Sequence, residues 1–180
     1  MRMSSAFALV AIGVLSVGFQ LLAQQPAPAQ ASRAPAAAEP IPTYGEPISL
    51  ERAQKVMAAA ESEAHRLKVS PALAILDSSG HLVMFEKMNN SDYGNGEIAI
   101  VLARSAVEFR RSTKQFADAV TRNPAEAFLP GVVPFQGGWP ILVDGRLVGA
   151  LGVVGARGGM PENGKAPGIL IAEAGVNAGK

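Results

Sequence analysis

Three features of the 180-residue chain predict an α+β fold, with a mostly antiparallel sheet of about five strands covered by helices. Segments of three-four apolar spacing and short apolar runs follow one another as helix, two strands, two helices, two or three strands, helix. That order departs from the strict strand-helix alternation of a parallel nucleotide-binding sheet. The dipeptide Asp144-Gly145, set between two apolar runs, favours the positive dihedrals of a two-residue hairpin turn. Cysteine is absent, which excludes disulfide scaffolds, thiolate metal sites, thiol nucleophiles and haem attached through paired cysteines.

The fold takes up only part of the chain. Residues 1–23 contain 16 apolar residues and one charge, Arg2, and read as a secretory signal peptide ending at Ala23. This places the rest of the protein in the periplasm or outside the cell. The uncharged run Ala6 to Leu22 also approaches the length of a membrane span, so an uncleaved anchor is the alternative. In residues 24–45, Ala, Pro and Gln fill 15 of 22 positions, the composition of a disordered or polyproline-like spacer. Residues 46–180 are enough for one domain with a single core. The chain carries 16 basic and 15 acidic residues, and loss of the leader with Arg2 makes it formally neutral. Nucleic acid is therefore not an expected partner, and a local basic site is more informative than the global charge.

Within the domain, Ser49 is placed to cap a helix whose Leu50, Ala53, Met57, Ala60, Ala64 and Leu67 share one face. Pro71 ends it. Ala72 to Leu76 form a buried strand, Asp77-Ser78-Ser79-Gly80 a turn, and His81 to Lys87 the returning partner, with apolar residues on both faces. Ile98, Val101, Leu102, Ala106 and Phe109 mark a second helix that stops near Arg110-Arg111, basic residues suited to its negative end. Ser112 or Thr113 caps a short helix from Lys114 to Thr121, which Asn123-Pro124 terminates. Val132 to Phe135 are read as one further strand. Trp139 to Val143 and Arg146 to Val154 form the hairpin about Asp144-Gly145, and Ile169 to Val176 close the chain as a helix with Pro167 near its start. Of the 19 glycines, 11 fall between Gly131 and Gly168. The spacing of Gly149, Gly152 and Gly155 fails the dinucleotide fingerprint, and these glycines are better explained by a helix packing close to the sheet.

The chain has only two histidines, little material for a Ser-His-acid site or a multi-histidine metal centre. His81 follows the Asp77 turn and His65 borders the apolar stripe of the first helix; each is a candidate axial donor to haem iron or, in the plainer reading, a surface residue. Arg110, Arg111 and Lys114 form the densest basic cluster, suited either to gripping carboxylates or to stabilising a helix end. Phe135 and Trp139 flank Gln136-Gly137-Gly138, where bare backbone and aromatic surface would line a pocket unless the tryptophan packs into the core.

The strings AILDSSGHLVMFEKMN (Ala74 to Asn89), VLARSAVEFRRSTKQFADAV (Val101 to Val120) and LPGVVPFQGGWPILVDGRLVGALGVVGA (Leu129 to Ala156) resemble, in that order, the GlcG/HbpS family, also known as the haem-degrading or DUF336 domain. The resemblance implies a profilin-like sandwich and a homo-oligomer. It also implies haem, since members include a secreted haem-binding protein that works with a two-component sensor and a haem-binding domain fused to a corrinoid adenosyltransferase; others are encoded beside glycolate catabolism. His81 falls in the family-like GHL segment, and Arg110, Arg111 and Thr113 in its FRR-T segment. After Ala156, Gly158 to Gly164 replace the more acidic, helix-starting stretch of the family. The expected function is thus an exported haem-binding protein for haem sensing, storage or protection, in which any haem breakdown comes from the cofactor's own iron and peroxide chemistry. Its site candidates are His81, His65, Arg110, Arg111, Thr113 and Lys114. Two alternatives stand beside it. One is an enzyme or accessory protein of small acidic-metabolite catabolism, with the basic cluster holding a carboxylate and His81 moving a proton. The other is an oligomeric interaction module for a sensor partner.

Overall fold

The computed structural model describes residues 40–159 and 161–180; the leader and residues 24–39 of the spacer lie outside them. The elements are β1 (Thr43–Tyr44), α1 (Leu50–Arg66), β2 (Ala72–Asp77), β3 (Leu82–Lys87), α2 (Asn95–Phe109), α3 (Thr113–Arg122), a 3-10 turn (Pro124–Phe128), β4 (Gly138–Val143), β5 (Arg146–Val154) and α4 (Pro167–Ala178). Among the described residues no helix is long and apolar enough to cross a membrane.

The sheet is built on β5. β2 pairs with it antiparallel from Ala72↔Val154 to Asp77↔Gly149, and β4 antiparallel from Gly138↔Gly152 to Val143↔Arg146. β3 extends the sheet through β2. The expected antiparallel sheet is present with one parallel addition, β1, joined at Thr43↔Arg146 and Tyr44↔Leu147. A strand has two edges, and β4 runs along one edge of β5, so β1 and β2 share the other end to end. At the β4–β5 turn Asp144 and Gly145 both have positive φ, as the hairpin signal requires.

Alternation along β2 divides the interior into two cores. Leu73 and Ile75 pack with Val56, Met57, Ala60, Leu151 and Ile171, on the side of α1 and α4. Ala72, Ala74 and Leu76 pack with Ala99, Ala103, Ala106 and Ala150, on the side of α2. This second layer is thin because small residues let α2 lie on the strands. A Cβ at Gly152 would strike the Ala99 carbonyl, and one at Gly138 the Leu102 carbonyl. Helix α1 starts as expected, with Ser49 Oγ accepting the Arg52 N–H at 3.3 Å; Leu50, read as part of its apolar stripe, is exposed.

Three expectations change. Val132 to Phe135 are not a strand. Gly131 has φ +80°, Pro134 has no N–H to give, and Val133 donates instead to Ser105 Oγ at 3.2 Å. Thr43–Tyr44, read as the end of the spacer, enter the sheet. The Tyr44 hydroxyl lies 3.1 Å from the carbonyls of both Val107 and Glu108, in the last turn of α2. In β3 a bulge shifts the register, since Ile75 pairs with Met84 while Leu76 pairs with Leu82. Val83 and Met84 therefore both pack on the α1 side, against the simple alternation.

Gly152→Ala is expected to cost about 1–3 kcal/mol of unfolding free energy, because α2 must move off the sheet. Urea denaturation of the two proteins checks this, and equal midpoints would contradict the close contact.

Candidate functional site

The end of α1 and the end of β3 meet. Lys68 takes φ +56° and reverses the chain after α1, so that the Val69 N–H donates to the Ala64 carbonyl at 3.1 Å and the backbone enters β2. Beside this reversal, β3 finishes at Glu86 and Lys87. Between them lies a cleft of about 420 Å³, its walls carrying Glu61, His65, Lys68, Glu86, Lys87 and Met88. Val69 and Met88 supply buried apolar surface there. His65 Nε2 is 3.4 Å from Glu61 Oε1. Lys87 Nζ donates to the Ser91 carbonyl at 2.8 Å and lies 5.5 Å from the centre of the Tyr93 ring. Partial burial pushes the Glu86 carboxyl up, the neighbouring Glu61 carboxylate adds to this, and His65 opposes it. A smaller cleft of about 220 Å³ shares Lys68, Val69 and Ser70 with the first and runs on to Ser91, Asn95 and Arg157.

The candidate residues from the sequence are not brought together. His65 lines the main cleft. His81 lies at the far end of β3, separated from that cleft by roughly 17 Å at about 3.3 Å per residue, so the two imidazoles of one chain cannot share one iron. Its side chain is 81% exposed, with Nδ1 3.7 Å from Asp77 Oδ2, while Asp77 Oδ1 accepts the N–H groups of Ser79 and His81 and shapes the turn.

The basic cluster serves the architecture. Arg110 takes φ +54°, places its guanidinium 5.1 Å from the centre of the Tyr44 ring and donates to the Pro42 carbonyl, fastening the first strand to the end of α2. Arg111 stacks 4.0 Å from the centre of the Phe116 ring. Lys114 pairs with Asp118 one turn along α3. Thr113 is fully buried, and its Oγ1 accepts the N–H groups of Gly137 (3.1 Å) and Gly138 (2.8 Å). It ties the start of β4 to α3. Trp139 packs partly buried on the α1 core, and Phe135 is exposed. Sequence reasoning missed Glu61, Glu86, Lys68 and Lys87. Single charged residues on two elements carry no pattern in the chain, and the β3 bulge that sets their register is invisible in it.

Comparison with known proteins identifies the family of this fold. Residues 48–162 match the family model described as haem degrading protein HbpS-like. The chain belongs to the HbpS-like family. Protein GlcG of Escherichia coli K12 is 33% identical over 108 residues, 59% of this chain and 80% of GlcG. HbpS of Streptomyces reticuli, solved as a double mutant, superposes with a TM-score of 0.61 at 25% identity over 82% of this chain and 95% of that one. A structure described as a PduOC:haem complex superposes at 0.62 and 27% identity, covering 73% of this chain and 94% of that one. The family match runs from Ile48 through β5 to Glu162. Its end is held to α1 by Arg66, which bonds both Glu63 and Glu162.

Two outcomes follow from these contacts. Thr113→Val leaves two buried N–H groups without an acceptor and is expected to cost about 2 kcal/mol or more in denaturant titrations; an unchanged midpoint would count against the tie. A carboxyl with a raised folded-state pKa binds its proton more tightly when folded. The native protein therefore loses stability as pH rises through the interval between the unfolded and folded values, and the penalty persists at neutral pH. Glu86→Gln should then stabilise the protein more at pH 7 than at pH 4 in paired thermal melts; the reverse order would contradict the assignment.

Proposed function

We propose that this member of the HbpS-like family is an exported haem-binding protein that holds haem in the cleft between α1 and β3. The observation that carries the reading is His65, the imidazole that lines a cleft, with Lys68 and Lys87 on the same walls. The similarity to a haem complex supports it. The donor set fits the group. The His65 imidazole would supply a nitrogen donor to the iron, the Lys68 and Lys87 ammonium groups would pair with the two propionates, and Val69 and Met88 would offer apolar contact to the macrocycle. In the tautomer that donates Nε2–H to Glu61, Nδ1 would carry the free lone pair. Glu61 and Glu86 repel carboxylates and steer them toward the lysines.

Haem, when bound, supplies one-electron and peroxide chemistry, so haem degradation in this protein needs no dedicated acid or base from the chain. Export rests on residues 1–23 and puts the protein in the periplasm or outside the cell. Haem sensing, storage or protection fits that location, and assembly into a homo-oligomer with a sensor partner belongs to the same reading.

Haem titration of the purified protein is expected to shift the Soret band and saturate at one haem per chain. His65→Ala should abolish the shift or change its position, and His81→Ala should leave it as it is. No saturable shift would reject haem binding, and identical spectra in both variants would reject histidine ligation.

A further inference from the structure

The smaller cleft presents buried polar groups and two cations against one carboxylate. Ser91 is 7% exposed and Asn95 5%, and both line it. Asn95 Nδ2 donates to Ser91 Oγ at 3.1 Å. Among the described residues, the Ser91 O–H and, on Asn95, the second amide N–H and Oδ1 make no further side-chain hydrogen bond. Buried polar groups of this kind are normally paired. Gly155, at φ +85°, leaves the space in which the Asn95 amide sits, since a Cβ there would collide with it. Two cations face the same cleft. Lys68 forms no ion pair among the described residues. Arg157 is 3.6 Å from Asp92 Oδ2, the one acidic group of the lining. Helix α2 begins at this cleft with no side-chain cap, which adds a positive end to the field.

A hydroxyl and an amide able to donate, with two cations against one carboxylate, give the pocket a positive excess that suits an oxyanion. We propose that this cleft binds a carboxylate of a small organic acid, held by Ser91, Asn95, Lys68 and Arg157. The inference stands apart from the haem reading, although the two clefts share Lys68 and Ser70, so the same chemistry would receive a haem propionate.

Titration of the isotopically labelled protein with acetate and malonate, at ionic strength held constant with chloride, tests the site by nuclear magnetic resonance. The Asn95 side-chain amide and the Ser91 and Gly96 backbone amides are expected to shift saturably. Arg157→Gln and Ser91→Ala should each weaken binding by about tenfold, with thermal melts showing that both variants remain folded. Absence of saturable shifts, equal shifts with chloride alone, or undiminished binding in both variants would overturn the proposal. Repeating the titration with haem and with its dimethyl ester identifies the source. Loss of acetate binding with haem but not with the ester points to a propionate in the cleft, whereas acetate binding retained with both points to a free acid; each supports the oxyanion chemistry. Acetate binding in a protein that shows no Soret shift leaves this site standing and rejects the haem reading alone.

Discussion

The backbone of α2 lies directly on β5, and the rest of the domain is arranged around that contact. Gly152 has no side chain to hold the helix away, and Ala99, Ala103 and Ala106 complete a layer too thin for larger residues. The other face of the same strand carries Leu151 and Val153, which belong to the thicker core beneath α1 and α4. β5 thus sets two helix-sheet distances while pairing with β1, β2 and β4. Close packing makes such a layer intolerant of even one added carbon.

That packing decides where chemistry can occur. With both faces of the sheet covered, solvent reaches the sheet at its ends and at its edge strands, and the two clefts open where α1, β3 and the start of α2 converge. Charges there come from separate elements: Glu61 and His65 from α1, Glu86 and Lys87 from β3, Arg157 from the segment after β5. The mixed signs produce an acidic portion near Glu61 and Glu86, and a donor-rich portion near Arg157 and Asn95. The conspicuous Arg110-Arg111-Lys114 run is occupied with an aromatic ring, a second ring and an aspartate. Dense charge in sequence became architecture, and scattered charge came to line the clefts.

The helices and the hairpin were legible because their signals are local. Ser49 caps its own helix, Asp144-Gly145 adopts the dihedrals that its residue types favour, and Pro167 stands in the first turn of α4. The resemblance of three separated strings to one family was legible for the same reason, and the family match bears it out. The role of Thr113 was not legible, since a buried acceptor for two distant N–H groups looks like any helix-starting threonine. Nor was the strand at Thr43–Tyr44, whose partners lie more than a hundred residues away.

The chain by itself determined the α+β class, the element order, the family and the two imidazoles available for a ligand, because propensity, periodicity and turn chemistry act over a few residues. Only the tertiary structure decided that His65 borders the cleft between α1 and β3 while His81 lies at the other end of β3, that Glu61 and Glu86 confront each other, and that Ser91 and Asn95 line one cleft with Lys68 and Arg157. Those relations depend on strand register, on a bulge and on how closely a helix approaches a glycine. Each is an outcome of packing between distant segments, where burial and unpaired hydrogen-bonding groups outweigh local preference.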